Sequence, residues 1–262
     1  MSNDSSSEAS GGRAVKKWFR RPVKQDLGSP YLVVLNVLII FVVSQVFAAF
    51  VVQMILSAAK VSQDTISNSA AAEFFYVLLA EGLAAGIVIR IVKSRNLSLG
   101  VIGLGRLPRR NDLHKAITGF VVFYAILIIA AAVASHFWPE LNKGTQDVGF
   151  NHLNSTLDTI LAFFALVFMP PLGEEVLVRG YLYSGLRQKM KFMPALIITS
   201  LFFGAAHLQT GSGTALLWAA GLNTFVLSVV LIYLREATGA LYAGMLVHAM
   251  NNLIAFGFHF HL

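Results

Sequence analysis

Leu32-Val33-Val34-Leu35-Asn36-Val37-Leu38-Ile39-Ile40-Phe41-Val42-Val43-Ser44-Gln45-Val46-Phe47-Ala48-Ala49-Phe50-Val51-Val52 contains no Lys, Arg, Asp or Glu. A helix needs roughly 20 mostly apolar residues to cross a bilayer, and this run is long enough. Working outward, comparable runs near residues 30–59, 71–92, 116–138, 156–183, 193–208, 214–234 and 239–258 predict further spans. Across 262 residues, 56% hydrophobic and only 13% charged side chains, with a mean hydropathy of +0.68, exclude an ordinary soluble domain. The expected fold class is all-α, a polytopic transmembrane helical bundle of about seven spans. It becomes eight if the fourth divides at Met169-Pro170-Pro171-Leu172-Gly173, where the residues weaken the backbone ladder. No internal repeat of the inverted transporter kind is visible.

Residues 1–29 are expected to form a disordered basic cytoplasmic tail, and 30–262 one transmembrane domain. Arg13, Lys16, Lys17, Arg20, Arg21 and Lys24 sit just before the first span, with Trp18 and Phe19 among them. They read as an anchor for anionic lipid headgroups, so the net charge of +7 points to membrane lipids as partners and not to nucleic acid. With the N-terminus in the cytoplasm, inside segments hold sixteen Lys/Arg and outside loops only Lys60 and Lys143. This asymmetry predicts an integral, multi-pass protein with a cytoplasmic N-terminus, and the composition fits a bacterial or archaeal inner membrane. The absence of cysteine excludes disulfides, thiolate metal sites and a cysteine nucleophile.

An ionised side chain in mid-membrane costs about 2.5–3.5 kcal/mol on insertion scales, so each needs a partner or a purpose. Glu174-Glu175-Val176-Leu177-Val178-Arg179 places Glu175 and Arg179 at i, i+4, where they can pair, and turns Glu174 elsewhere as the better general base. Taken alone, the less favoured reading of the cluster is the solvated cytoplasmic end of a helix. Phe203-Gly204-Ala205-Ala206-His207 puts a histidine deep in the fifth span with an aromatic one turn away. Alone, it could be an interhelical hydrogen bonder. His248-Ala249-Met250-Asn251-Asn252 carries two donors at i, i+4, His248 and Asn252, suited to a developing oxyanion, with Asn251 as a competitor pointing elsewhere. A carboxylate, two imidazoles, an amide and an orienting arginine make up the set that activates water in a dry site.

This ordered triple, Glu174-Glu175-x-x-x-Arg179, Phe203-x-x-x-His207 and His248-x-x-x-Asn252, resembles the CAAX protease and bacteriocin-processing (CPBP, or Abi) family of intramembrane proteases. The resemblance covers about residues 156–256 and implies an endopeptidase that hydrolyses a peptide bond. Glu174 and His207 would activate water, His248 and Asn252 would hold the oxyanion, and Glu175 and Arg179 would support them. It further implies a cavity opening toward the cytoplasm and a peptide or protein substrate, lipidated or not. No cofactor is required on this reading. Zinc is the metal that Glu174, His207 and His248 could bind, although the compact H-E-x-x-H pattern of catalytic zinc sites is missing.

A rhomboid-like serine protease would have to use Ser212 in Gly211-Ser212-Gly213-Thr214, which reads as a loop, and an aspartyl protease would need two membrane aspartates where only Asp158 falls in a span. The alternative of another class is a non-proteolytic scaffold or transporter-like protein that uses Gln45, Gln53, Glu73, Glu81 and Asn223. His114, His136, His152, His259 and His261 are assigned no role.

Overall fold

The computed structural model describes residues 25–61, 69–139, 150, 153–208 and 217–261. Residues 1–24 of the expected tail, His152 and the Gly211–Thr214 segment lie outside them. The described residues form helices and no strands: α1 Pro30–Ala58, α2 Ala70–Ser94, α3 Arg110–Phe137, α4 Thr156–Arg187, α5 Phe192–Ala206, α6 Trp218–Thr238 and α7 Tyr242–Phe260, with a 3₁₀ turn at Leu99–Ile102. The chain is an integral, multi-pass membrane protein. Five of its helices, α1 to α4 and α6, are long and apolar enough to cross a bilayer. Outward faces such as Leu35, Ile39 and Phe50 on α1 and Val121, Ile128 and Ile129 on α3 expose large apolar side chains suited to lipid.

Helix ends follow local capping chemistry. Ser29, Ser69 and Ser155 side chains accept from the first-turn amides of α1, α2 and α4. The start of α3 lies six residues before the expected 116. Asp112 reaches back to the Arg109 amide at 2.7 Å and also takes two 2.6 Å bonds from Arg106, so the polar entrance is helical. Residues 25–29, the end of the expected tail, are held in place: Leu27 is fully buried, its amide donates to Gln188 Oε1, and Arg95 donates to its carbonyl.

α4 is the centre, packed by α1, α2, α5, α6 and α7. It is one continuous element and does not divide at Pro170-Pro171. Phe164–Phe168 and Glu175–Tyr183 are wound as π-helix, flanking the α-helical turn Met169–Glu174. The two prolines lack amide hydrogens, so an ordinary ladder would fail there, and a wider turn lets the helix carry on. Gly173 makes a close approach possible: a Cβ there would collide with Glu81 Oε2 and lie 2.7 Å from Glu81 Cβ on α2.

Alternation of the helices sorts their ends onto two faces. The basic face carries the starts of α1, α3, α5 and α7 with the ends of α2, α4 and α6. It is bound together by Lys189 with Asp26, Arg187 with Glu236, and Tyr242 with the Arg106 carbonyl. The opposite face carries the other ends, where Trp138 stacks near Trp218 and Phe150 packs with Ala70, Ala162 and Phe256.

Candidate active site

Glu174 and Glu175 occupy the junction where α4 passes from α to π winding. Glu175 is 1% exposed and Arg179 wholly buried, and they form the expected ion pair at 2.9 Å. The Arg179 guanidinium also lies 4.1 Å from the centre of the Phe203 ring, so a charge with few hydrogen bonds is held between a carboxylate and a π face. Glu174 turns the other way and is 24% exposed, which separates a supporting carboxylate from one that reaches open space.

α7 brings His248 between the two carboxylates, its Nδ1 3.1 Å from Glu175 Oε1 and its Nε2 3.8 Å from Glu174 Oε2. An ionised carboxylate only accepts, so Nδ1 carries the hydrogen it donates to Glu175, and Nε2 is left facing Glu174. With Nδ1 so committed, Nε2 donates only when the ring is protonated. Gly244, one turn earlier, gives room: a Cβ there would come to 3.4 Å from Glu175 Oε2.

His207 is the C-cap of α5, not an interior residue of a span. At ~1.5 Å per residue, the 15 residues of α5 rise only about 22 Å, short of the roughly 30 Å hydrocarbon core, so its end lies within the membrane. That shortness sets the depth of His207. Its Nδ1 lies 2.9 Å from the Phe203 carbonyl, which can only accept, and Nε2 is therefore the nitrogen with the lone pair. The Phe203 ring lies 4.5 Å from the His207 ring and 6.0 Å from His248, tying three side chains of the site to one aromatic.

Asn252 shows a second commitment that the sequence does not display. Its Nδ2 donates to the Leu166 carbonyl at 2.9 Å. That carbonyl would look to residue 170 in an α-ladder or 171 in a π-ladder, and both are prolines. Asn252 supplies the missing donor and keeps one amide hydrogen over. Asn251 accepts from Tyr124 at 3.4 Å and donates to Asn252 Oδ1 at 3.4 Å.

Glu174, His207, His248, Asn251 and Asn252 line one cavity of about 220 Å³, with Leu166, Pro170, Asn223, Thr224, Phe256, His259 and Phe260 completing its wall. All six expected residues are thus drawn into one neighbourhood, Glu175 and Arg179 behind the wall. Thr224 and His259 were not singled out from sequence, whereas Asn251 was the competitor of Asn252 and Asn223 belonged to the scaffold or transporter alternative. The position of His259, nearly two turns beyond Asn252 on the same helix, is the signal that was there. Among the described residues no group of three His, Cys, Asp or Glu is disposed to hold a metal ion, so Glu174, His207 and His248 do not form a ready zinc set as placed.

Of the rival features, Asn223 lines the cavity, while Glu81, Gln45 and Gln53 fall elsewhere. Glu81 packs on Gly173 at the α2–α4 contact and does not line the cavity, Gln45 accepts from Tyr76, and Gln53 donates to Ser57 on an exposed surface. Asp158 belongs to the first turn of α4, where Asn154 donates to it.

The cavity extends from Glu174 toward the start of α6 and the end of α7, away from the basic face.

Neither a curated protein nor a solved structure matches the chain. Residues 156–254 match the family model described as Rce1-like, type II CAAX prenyl endopeptidase. That range holds α4 from its first residue, α5, α6 and α7 as far as Ile254, and with them all six expected residues, while Phe256, His259 and Phe260 of the cavity wall lie beyond it. The segment 156–254 is thus similar to the CAAX protease, or CPBP, family.

Proposed function

We propose that the protein is an intramembrane endopeptidase in which Glu174, assisted by His207, activates a water to hydrolyse a peptide bond. The observation that supports this best is the shared cavity, in which Glu174 meets two imidazoles whose Nδ1 atoms are both tied down. The water sits between the Glu174 carboxylate and His207 Nε2. Its oxygen bonds to the carbonyl carbon while Glu174 takes its proton, and the carbonyl electron pair moves onto oxygen. Protonated His248, through Nε2, and the spare amide hydrogen of Asn252 stabilise that oxyanion. Collapse breaks the C–N bond, and Glu174 returns the proton to the leaving amine, leaving one new carboxyl and one new amine per water consumed. Glu175 and Arg179 position His248 and touch no reacting atom.

The substrate is a membrane-associated peptide or protein, with or without a lipid, and the N-terminus of the enzyme lies in the cytoplasm. The chemistry requires no metal. Were zinc to serve, Glu174, His207 and His248 would supply the ligands and the ion would polarise the carbonyl.

Cleavage of a panel of membrane-tethered peptides by the purified protein tests the reading. Losing a general base costs about 10²–10⁴-fold in rate, so Glu174→Gln and His207→Ala should each fall by that order while cleavage by the wild type resists a chelator. Chelator sensitivity assigns the step to a metal, and full activity in both variants removes the proposed site. The scaffold or transporter alternative has less behind it: of its residues Asn223 lines the cavity, but Glu81 packs on Gly173 at a helix contact.

A further inference from the structure

Three segments of the basic face meet around one depression: the last turns of α4 and α6 and the 3₁₀ turn at Leu99–Ile102. Ile102 anchors that turn by full burial, and Gly103 ends it in the left-handed region at φ +84°, its carbonyl accepting from the Leu241 amide. The depression has a volume of about 310 Å³, within the range of small-ligand sites, roughly 300–1,000 Å³. It shares no residue with the cavity of the candidate active site, and every residue of its wall is described.

Two guanidinium groups and one carboxylate line it, those of Arg187, Arg235 and Glu236. Glu236 Oε1 accepts from both the Tyr183 hydroxyl and Arg187 Nε, so that carboxylate is already matched by Arg187. Among the described residues Arg235 forms no ion pair. Its Nη2 donates to the Val101 carbonyl and the Ser184 hydroxyl, each at 3.3 Å. Gly103 lies against the same guanidinium, where a Cβ would come to 2.9 Å from Nε. Neutral groups thus hold the side chain in place and leave its charge unbalanced. Arg187 Nη1 donates to the Met190 carbonyl. Among the described residues Nη1 of Arg235 and Nη2 of Arg187 make no hydrogen bond. Cations near helix C-termini offset the helix dipole, a role that needs the charge but not two open guanidinium edges on one depression.

We infer that this depression binds an anionic phosphate group, carried by a lipid headgroup of the adjoining leaflet or by a small soluble phosphate. A phosphate offers acceptors with negative charge, which is what two open guanidinium edges take. Gln188 adds a third donor: its Oε1 is occupied by the Leu27 amide, which leaves Nε2 to the wall. The place, between the ends of membrane-crossing helices on the cation-rich face, is where basic pockets meet lipid headgroups. The inference does not depend on the endopeptidase reading.

The purified full chain in a neutral detergent is titrated at constant ionic strength with inorganic phosphate and, separately, with dihexanoyl phosphatidylglycerol. Chloride and dihexanoyl phosphatidylcholine serve as blanks. A ligand of the folded state raises the unfolding midpoint, so the midpoint reports binding. A rise with phosphatidylglycerol alone assigns the site to a lipid headgroup, a rise with phosphate alone to a soluble phosphate, and a rise with both to the phosphate group itself. Arg235→Gln and Gln188→Glu should each weaken the apparent affinity about tenfold or more. Gln188→Glu keeps an acceptor for the Leu27 amide and adds a negative charge to the wall, so it decides even where loss of Arg235 unfolds the chain. Lys189→Ala removes a cation that is paired with Asp26 and is not part of the wall, and should change the affinity by no more than about twofold. No rise with either ligand, or a rise undiminished in either wall variant, overturns the inference. An equal loss in Lys189→Ala also overturns it, by assigning the effect to diffuse surface charge.

Discussion

Asn252 serves two masters: one amide hydrogen satisfies the Leu166 carbonyl orphaned by two prolines, and the other faces the cavity. A buried acceptor left unpaired costs about 1–3 kcal/mol, so Asn252→Ala should lower stability by that order as well as slow cleavage. Asn252→Asp, which keeps the shape and loses both N–H groups, should do the same. Thermal unfolding of the variants in detergent checks this, and an unchanged transition would show that water replaces the amide at no cost. The pairing of Glu175 with Arg179 was legible in the sequence, because i, i+4 spacing survives the π winding. The proline-to-asparagine link was not, since it joins residues 86 apart on different helices. Phe203 likewise appeared only as the aromatic beneath His207, while the structure also places Arg179 over its face.

In α4, Pro170-Pro171 reads from sequence as a break, and the structure turns it into a change of helical pitch. Two π segments bracket the short α-turn that presents Glu174, and the surrounding helices satisfy what the prolines leave open. The pitch was illegible because it depends on neighbours, Glu81 among them. Gly173→Ala should destabilise the bundle by about 1–3 kcal/mol, the usual cost of overpacking a tight contact. Adding Glu81→Ala should relieve only part of that loss, since the Cβ and carbonyl of residue 81 would remain 2.7 and 2.9 Å from the new methyl. A double-mutant cycle measured by unfolding decides it; a single variant as stable as wild type would show that α2 and α4 slide apart freely. α5 makes a similar point by its length. Its apolar run was readable to within a few residues, but the stop at Ala206 makes His207 a cap inside the membrane.

Across the bundle, stability and function divide between the two faces. The basic face is locked by the entering chain, with Leu27 fully buried under the loop after α4. Leu27→Ala should cost about 2–5 kcal/mol by opening a cavity in the core. Lys189→Ala, which breaks only a half-exposed pair with Asp26, should cost about 0–1 kcal/mol. Comparing the two unfolding midpoints checks whether packing or charge holds this end closed; equal losses would contradict the assignment to packing. The sequence by itself determined that the chain is a multi-pass membrane bundle of about seven apolar helices, because such runs leave no other solvent for it. It also determined which ionisable residues need explaining, and which face is basic. Only the tertiary structure decided how α4 passes its prolines, which carboxylate meets the cavity, which nitrogen of each histidine is free, and which residues of α4, α6 and α7 line the cavity beside it. Those choices are made by contacts between distant residues in a close-packed interior, and hydropathy and spacing along one chain do not encode where such contacts close.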